Sequence, residues 1–252
     1  MKQIIDFDQK TKKRIFQQVI DIFVIPEIER RKKMNKLPSD FRLERIQVIF
    51  SSRSGRNYVR LNKEVKAIIK VRTNKPIQKG DIVYEKDIDK IESIDLTKGD
   101  TNYGHFTLLY IKDSWIVSFD FIYNKEEIRK HIEASNEFYE SAKENLKKKR
   151  LRPFFENAFA SAELFTKSLL LSLPIKEQSK GSKHQIKKEF LKNWADLGNV
   201  KPSFSTTLSK LYSLRSSARY LVSDDYKKEN PEEIILTVEE MIKFSKELIK
   251  EK

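Results

Sequence analysis

The chain has 252 residues, 51 Lys and Arg against 37 Asp and Glu, a formal net charge of +14 and no cysteine. The lack of cysteine excludes disulfides, Cys-ligated zinc and thiol nucleophiles, and no apolar run approaches the ~20 residues of a membrane span. The positive excess favours RNA or DNA as a partner over a membrane surface, the cytoplasm is the expected location, and no cofactor or metal is expected.

Between Gln9 and Ile25, the residues Ile15, Phe16, Val19, Ile20, Ile22 and Phe23 share one helical face, with lysines and Arg14 opposite. Pro26 disfavours helical geometry at Ile25, which predicts a kink or a new helix with Pro26 in its first turn. The run Glu29-Arg30-Arg31-Lys32-Lys33 reads as a solvated helix end.

From Phe41 the period changes to two. Ile46, Val48 and Phe50 alternate with Arg45, Gln47 and Ile49, and the turn-forming residues 51–57 lead into Tyr58-Val59-Arg60-Leu61, a hairpin. Strands are predicted at Val65–Val71 and Asp81–Tyr84, with a longer loop around Asp95, Gly99, Asp100 and Gly104. The strongest hairpin signal is His105–Ile111, Lys112-Asp113 and Trp115–Tyr123. Residues 1–124 are thus expected to form a helix followed by a mainly antiparallel sheet of five or six strands.

Alternation puts Arg56, Tyr58 and Arg60 on one side of a strand, where they would form a phosphate-tracking surface with a stacking aromatic. His105 begins one strand of the later hairpin and Asp120 lies within the next, a pair better suited to a structural hydrogen bond than to acid–base work. Asp87, Asp89, Glu92 and Asp95 read as a solvated face rather than a metal site.

From Lys125 the period returns to 3.6. Ile128, Ile132, Ser135, Tyr139, Ala142 and Leu146 line a long helix that ends in the basic run before Pro153. Phe155, Ala158, Phe159, Ala162, Phe165 and Leu169 line a second helix with Pro153 in its first turn. A polar loop over 175–182 leads to a third helix, with Ser182 a candidate cap and Gly198 a stop; a fourth runs from Ser203 to Asp224, and a fifth follows Asn230-Pro231. Residues 125–252 are therefore expected to be an all-α bundle of five helices, and the whole chain an α+β protein.

One stretch breaks the pattern of the fourth helix. Leu208, Leu211, Leu214, Ala218 and Leu221 form an apolar seam, and Arg215 and Arg219 share a face beside it. A desolvated arginine needs a partner, so a carboxylate elsewhere in the bundle pairs with them, they reach water, or they line a functional cleft.

The helix order, the alanine-rich segment Ala158-Phe159-Ala160-Ser161-Ala162-Glu163-Leu164, the loop residues Ser182-Lys183-His184 and the string Leu211-Tyr212-Ser213-Leu214-Arg215-Ser216-Ser217-Ala218-Arg219-Tyr220 resemble a HEPN domain over about residues 125–252. The resemblance implies an all-α, often dimeric domain of RNA-processing, toxin–antitoxin and antiviral proteins. Its active members are metal-independent ribonucleases with an arginine followed, after four to six residues, by a histidine. Arg215 matches that arginine, but Tyr220 stands where the histidine would be, and the window after Arg219 holds Asp224, Asp225 and Tyr226. Tyrosine, with an unperturbed pKa of about 10, is a poor general base at neutral pH.

The expectation is therefore a non-enzymatic RNA- or nucleotide-binding protein that forms a homodimer through its bundle. Arg215 and Arg219 would hold phosphate, with Tyr220 and His184 in the same candidate site and Lys183, Lys187, Lys188, Arg150 and Arg152 extending the positive field. A divergent ribonuclease, with Arg215 on the scissile phosphate, and a dimeric interaction scaffold are the alternatives.

Overall fold

The computed structural model describes residues 9–51, 57–174, 184–220 and 224–249. The chain divides into two units, Met1–Asp120 and Phe121–Lys252.

In the first unit, α1 (Gln9–Val19) runs into a π-helical turn (Ile20–Val24) and then α2 (Ile25–Lys33), which carries Pro26 in its first turn. The wider turn ahead of the proline accommodates its missing N–H donor, so the chain continues instead of breaking. Arg31 is not solvated as the basic run suggested: its side chain is 14% exposed, and it bonds Glu27, Glu64 and the Val59 carbonyl.

Strands β1 (Arg45–Phe50), β2 (Tyr58–Leu61), β5 (Gly104–Ile111) and β6 (Ser114–Asp120) form an antiparallel sheet in the order β2-β1-β5-β6. Val24, Ile46, Val48, Leu61, Phe106 and Leu108 make its buried core, with Phe16 and Phe23 packed against them. Gln47 and Ile49 point to the other face, yet they are buried too. That face is also covered: Gln47 Nε2 donates to Lys66 O at 2.9 Å, and Ser118 Oγ donates to Ile94 O at 2.9 Å. His105 is 2% exposed, stands opposite Asp120 in register and shares a 2.9 Å hydrogen bond with Thr107, a structural use.

A separate two-stranded sheet pairs β3 (Ala67–Thr73) with β4 (Ile88–Leu96). No strand forms over Asp81–Tyr84, where Ile82 is 71% exposed, and the partner strand lies in the acidic segment beyond it. Ile88, Ile91 and Ile94 recur every third residue, which alternation does not recognise as a strand. Two register shifts leave Glu92 and Asp89 as extra residues, so that Ile94, Ile91 and Ile88 fall opposite Ile69, Val71 and Thr73 on one face. The expected single sheet is thus two sheets.

The second unit contains α3 (Lys125–Lys147), α4 (Leu151–Leu171), α5 (His184–Asp196), α6 (Pro202–Tyr220) and α7 (Pro231–Leu248). Gly198, at φ +76°, follows the end of α5. The Asn230 side chain caps α7 by accepting from the N–H groups of Glu232 and Glu233 at 3.1 and 3.2 Å. The expected fourth helix is described as α6 to Tyr220; residues 221–223, Leu221 of the seam among them, lie outside the described residues, and Asp225–Lys228 forms a 3₁₀ turn. The candidate cap Ser182 and the loop over 175–182 lie outside the described residues.

α4 packs against all four other helices of its unit. It supplies Phe154, Phe155, Ala158, Ala162, Phe165 and Leu169 to a core completed by Leu191, Phe204, Leu208, Leu211 and Met241. Full burial of such large apolar side chains is worth roughly 1.5–3 kcal/mol each. Among the described residues, no helix is long and apolar enough to cross a membrane.

Candidate functional site

The helical repeat assembles the site. On α4, Glu156, Phe159 and Glu163 are spaced three and four residues apart and share a face, and Tyr212, Arg215 and Arg219 repeat that spacing on α6. The first turn of α5 adds His184, Lys187 and Lys188.

Phe159, 4% exposed, is the floor. The Arg215 guanidinium lies 5.0 Å above its ring, the His184 ring is 5.5 Å away edge-on, and the Tyr212 ring is 6.2 Å away. Lys188 Nζ stands 4.7 Å over Tyr212. A cation over an aromatic face is attracted by the ring quadrupole, so the floor holds Arg215 without consuming its hydrogen-bond donors.

Those donors have few takers. Arg215 Nε is 3.6 Å from Glu156 Oε2, and Arg219 Nε is 3.9 Å from Glu156 Oε1, both beyond hydrogen-bond range. Arg215 Nε and Glu156 Oε1 are buried atoms with no hydrogen-bond partner. Glu156 is the carboxylate that the arginine pair called for, but it is loosely engaged.

Arg215 Nη1 meets His184 Nε2 at 3.5 Å. A guanidinium only donates, so the imidazole presents its Nε2 lone pair to Arg215. Nδ1 then carries the ring proton and faces Glu163, with which it is hydrogen-bonded. Glu163 also accepts from Lys187 Nζ at 2.8 Å, a pair whose side chains are 12% and 19% exposed. A carboxylate thus holds the ring of His184 in place. Four cations, Arg215, Arg219, Lys187 and Lys188, surround two carboxylates in this cleft, leaving it net positive.

The structure brings together only part of the predicted set. Arg215, Arg219, His184 and Lys187 converge, and Tyr220 lies beside them, 67% exposed, with the Arg219 guanidinium 5.9 Å from its ring. Arg152 is engaged elsewhere: its Nε donates to the Tyr226 hydroxyl at 3.0 Å and its guanidinium lies 5.8 Å from the Tyr226 ring. Arg150 is exposed at the N-cap of α4. Lys183 and Arg56 lie outside the described residues.

In the first unit, Tyr58 is exposed but Arg60 is held by Asp100 at 2.6 Å and by the Gln47 side-chain carbonyl at 2.9 Å. Its guanidinium therefore serves the sheet and is not a free member of a phosphate-tracking row. Asp87 likewise pairs with Lys75 at 2.9 Å, and that hydrogen bond holds its carboxyl below the usual range. Among the described residues, no group of three His, Asp or Glu side chains is arranged to hold a metal ion.

The sequence reading missed Glu156, Phe159 and Glu163 as site residues. A signal was present: Glu156 and Glu163 are the two acids of α4, two turns apart on one face.

No curated protein and no solved structure matches the chain. A family model does match, over residues 128–248, which span α3 to α7 and include every residue of this cleft. Residues 128–248 match the family model of the HEPN domain, and the match does not reach the helix and sheets of the first unit.

Proposed function

We propose that the HEPN unit binds RNA through its phosphates, with Arg215 and Arg219 as the anion ligands and Tyr220 as an exposed surface for base stacking. One observation carries the reading: Arg215 is held on the Phe159 ring with a buried Nε that has no hydrogen-bond partner. Its side chain is 26% exposed, so an anion can reach the guanidinium, and Nε itself once Glu156 moves aside. A phosphate oxygen satisfies such a donor by a charge-assisted hydrogen bond, and a guanidinium suits two oxygens at once. Lys187 and Lys188 add field on the α5 side.

The test is titration of a short single-stranded RNA at several salt concentrations. Affinity should fall with salt, and Arg215→Ala should reduce the slope of log K against log salt by about one phosphate contact. Affinity that is undetectable at low salt, or unaltered in Arg215→Glu, overturns the proposal.

His184 favours cleavage as a second reading. Its Nε2 lone pair faces the arginine, and Glu163 holds the ring in place. In RNA, Nε2 would accept the proton of a 2′-hydroxyl as its oxygen bonds to the adjacent phosphorus and the P–O5′ bond breaks. The imidazolium would return the proton to the leaving oxygen, giving a cyclic 2′,3′-phosphate and a 5′-hydroxyl. Arg215 would hold the phosphoryl oxygens as negative charge accumulates on them. Incubation of the protein with RNA in a chelator discriminates: cleavage lost in His184→Ala and in Arg215→Ala promotes this reading, and intact RNA removes it.

HEPN proteins are often ribonucleases or components of toxin–antitoxin pairs, and HEPN domains often dimerise. On that ground a homodimer through the bundle is proposed as well; a monomer by light scattering would set it aside.

A further inference from the structure

We infer that Glu156 is a built-in competitor for the RNA phosphate, a carboxylate that occupies the anion position between Arg215 and Arg219 until a ligand displaces it. The inference rests on the phosphate-binding reading above and adds to it what sets the affinity of the site.

A carboxylate that orients an arginine makes short paired hydrogen bonds of roughly 2.7–2.9 Å. Arg30 and Glu27 meet that standard in this same chain, with both contacts at 2.7 Å. Glu156 does not. It spans two guanidinium groups at 3.6 and 3.9 Å, and hydrogen-bonds neither Nε. Glu156 Oε1, on the Arg219 side, and Arg215 Nε are both buried and both unmatched.

Leaving two buried polar atoms unmatched is costly, and the arrangement persists because like charges four residues apart on one helix repel each other. Glu156 supplies the negative charge that this pair requires. A phosphate supplies the same charge with oxygens free to approach either guanidinium, and so makes the bonds Glu156 leaves unmade. The Glu156 side chain is 28% exposed, which leaves it a route to swing into water.

Glu163 is the contrast. It bonds both His184 and Lys187, so its charge is committed to positioning those two side chains. The two acids on one face of α4 thus differ in role, one an orienter and the other a placeholder.

The test compares the wild type, Glu156→Gln and the double variant Glu156→Gln/Arg215→Ala for binding of a short single-stranded RNA at fixed salt. Removing the competitor should tighten binding by about three- to tenfold, less than a close charge pair contributes at an interface, because Glu156 engages both guanidinium groups only loosely. The gain should vanish in the double variant. Wild-type binding that needs Arg215, with Glu156→Gln equal or weaker, overturns the competitor and leaves phosphate binding standing. No binding by any variant overturns both. Thermal unfolding guards against a folding artefact: inorganic phosphate should raise the Tm of Glu156→Gln more than that of the wild type, and an equal or smaller rise counts against the inference.

Discussion

Ser135 on α3 and Ser161 on α4 bond each other reciprocally: each hydroxyl donates to the other residue's backbone carbonyl, at 2.9 and 2.8 Å. Their oxygens lie 3.1 Å apart, and both residues are essentially inaccessible to water. Two small side chains let the helices approach closely, and the hydroxyls then find partners on the facing backbone. Ser135→Ala or Ser161→Ala should each cost about 1–2 kcal/mol, the loss of one buried hydrogen bond. Ser135→Val should cost more, because its branches have no room between the two backbones. Urea denaturation of each variant measures both.

Phe165 is 1% exposed and meets Phe204 and Phe244 edge-on at 5.5 and 6.4 Å. Phe165→Ala removes the centre of that cluster and should destabilise the HEPN unit by about 3–5 kcal/mol. Phe165→Leu, which keeps most of the volume, should retain RNA binding. Denaturation and RNA titration of the two variants check this.

Arg60 joins β2 to the Asp100 turn and to Gln47 on β1. Arg60→Ala strips Asp100 and Gln47 of their donor and should lower the stability of the first unit by about 1–3 kcal/mol. RNA affinity and its salt dependence should stay unchanged. A reduced salt slope in that variant would instead put Arg60 on the RNA.

Glu27 supports a pH prediction. The hydrogen bond from Arg30, joined by Arg31, holds its carboxyl down to about 2 from an ordinary 4.5. A carboxyl that is more acidic in the folded state stabilises the fold above the unfolded value, and this contribution fades as pH falls from 4.5 toward 2. The wild type should therefore exceed Glu27→Gln in stability at neutral pH, and the gap should close across that acid window. Unfolding midpoints of both proteins at pH 7, 4, 3 and 2 provide the check.

Arg215 and His184 carry the functional contrast. If the site only binds, His184→Ala should weaken RNA affinity modestly and leave RNA intact in every preparation. If it cleaves, the same substitution should abolish turnover while affinity falls far less, since Arg215 remains. Single-turnover cleavage measured beside equilibrium binding separates these outcomes.

The sequence by itself determined the helices of the HEPN unit, because each buries a stripe whose spacing is a local property of the chain. Ile128, Ile132, Tyr139 and Ala142 on α3, and Leu208, Leu211, Leu214 and Ala218 on α6, are legible for that reason, and all are buried. It also marked Arg215 and Arg219, since charge beside an apolar seam is visible without a fold. β4 was hidden because its apolar residues recur every third position, and only the bulges opposite β3 return them to one face. The cleft itself was decided by tertiary structure. Glu163, His184 and Arg215 come from three helices, and no periodicity within any one helix specifies which turn of a neighbour it faces. Arg215 could be recognised as a residue in need of a partner; that Glu156 meets the need only loosely, and that His184 of α5 approaches Arg215, follows from how α4, α5 and α6 pack around Phe159.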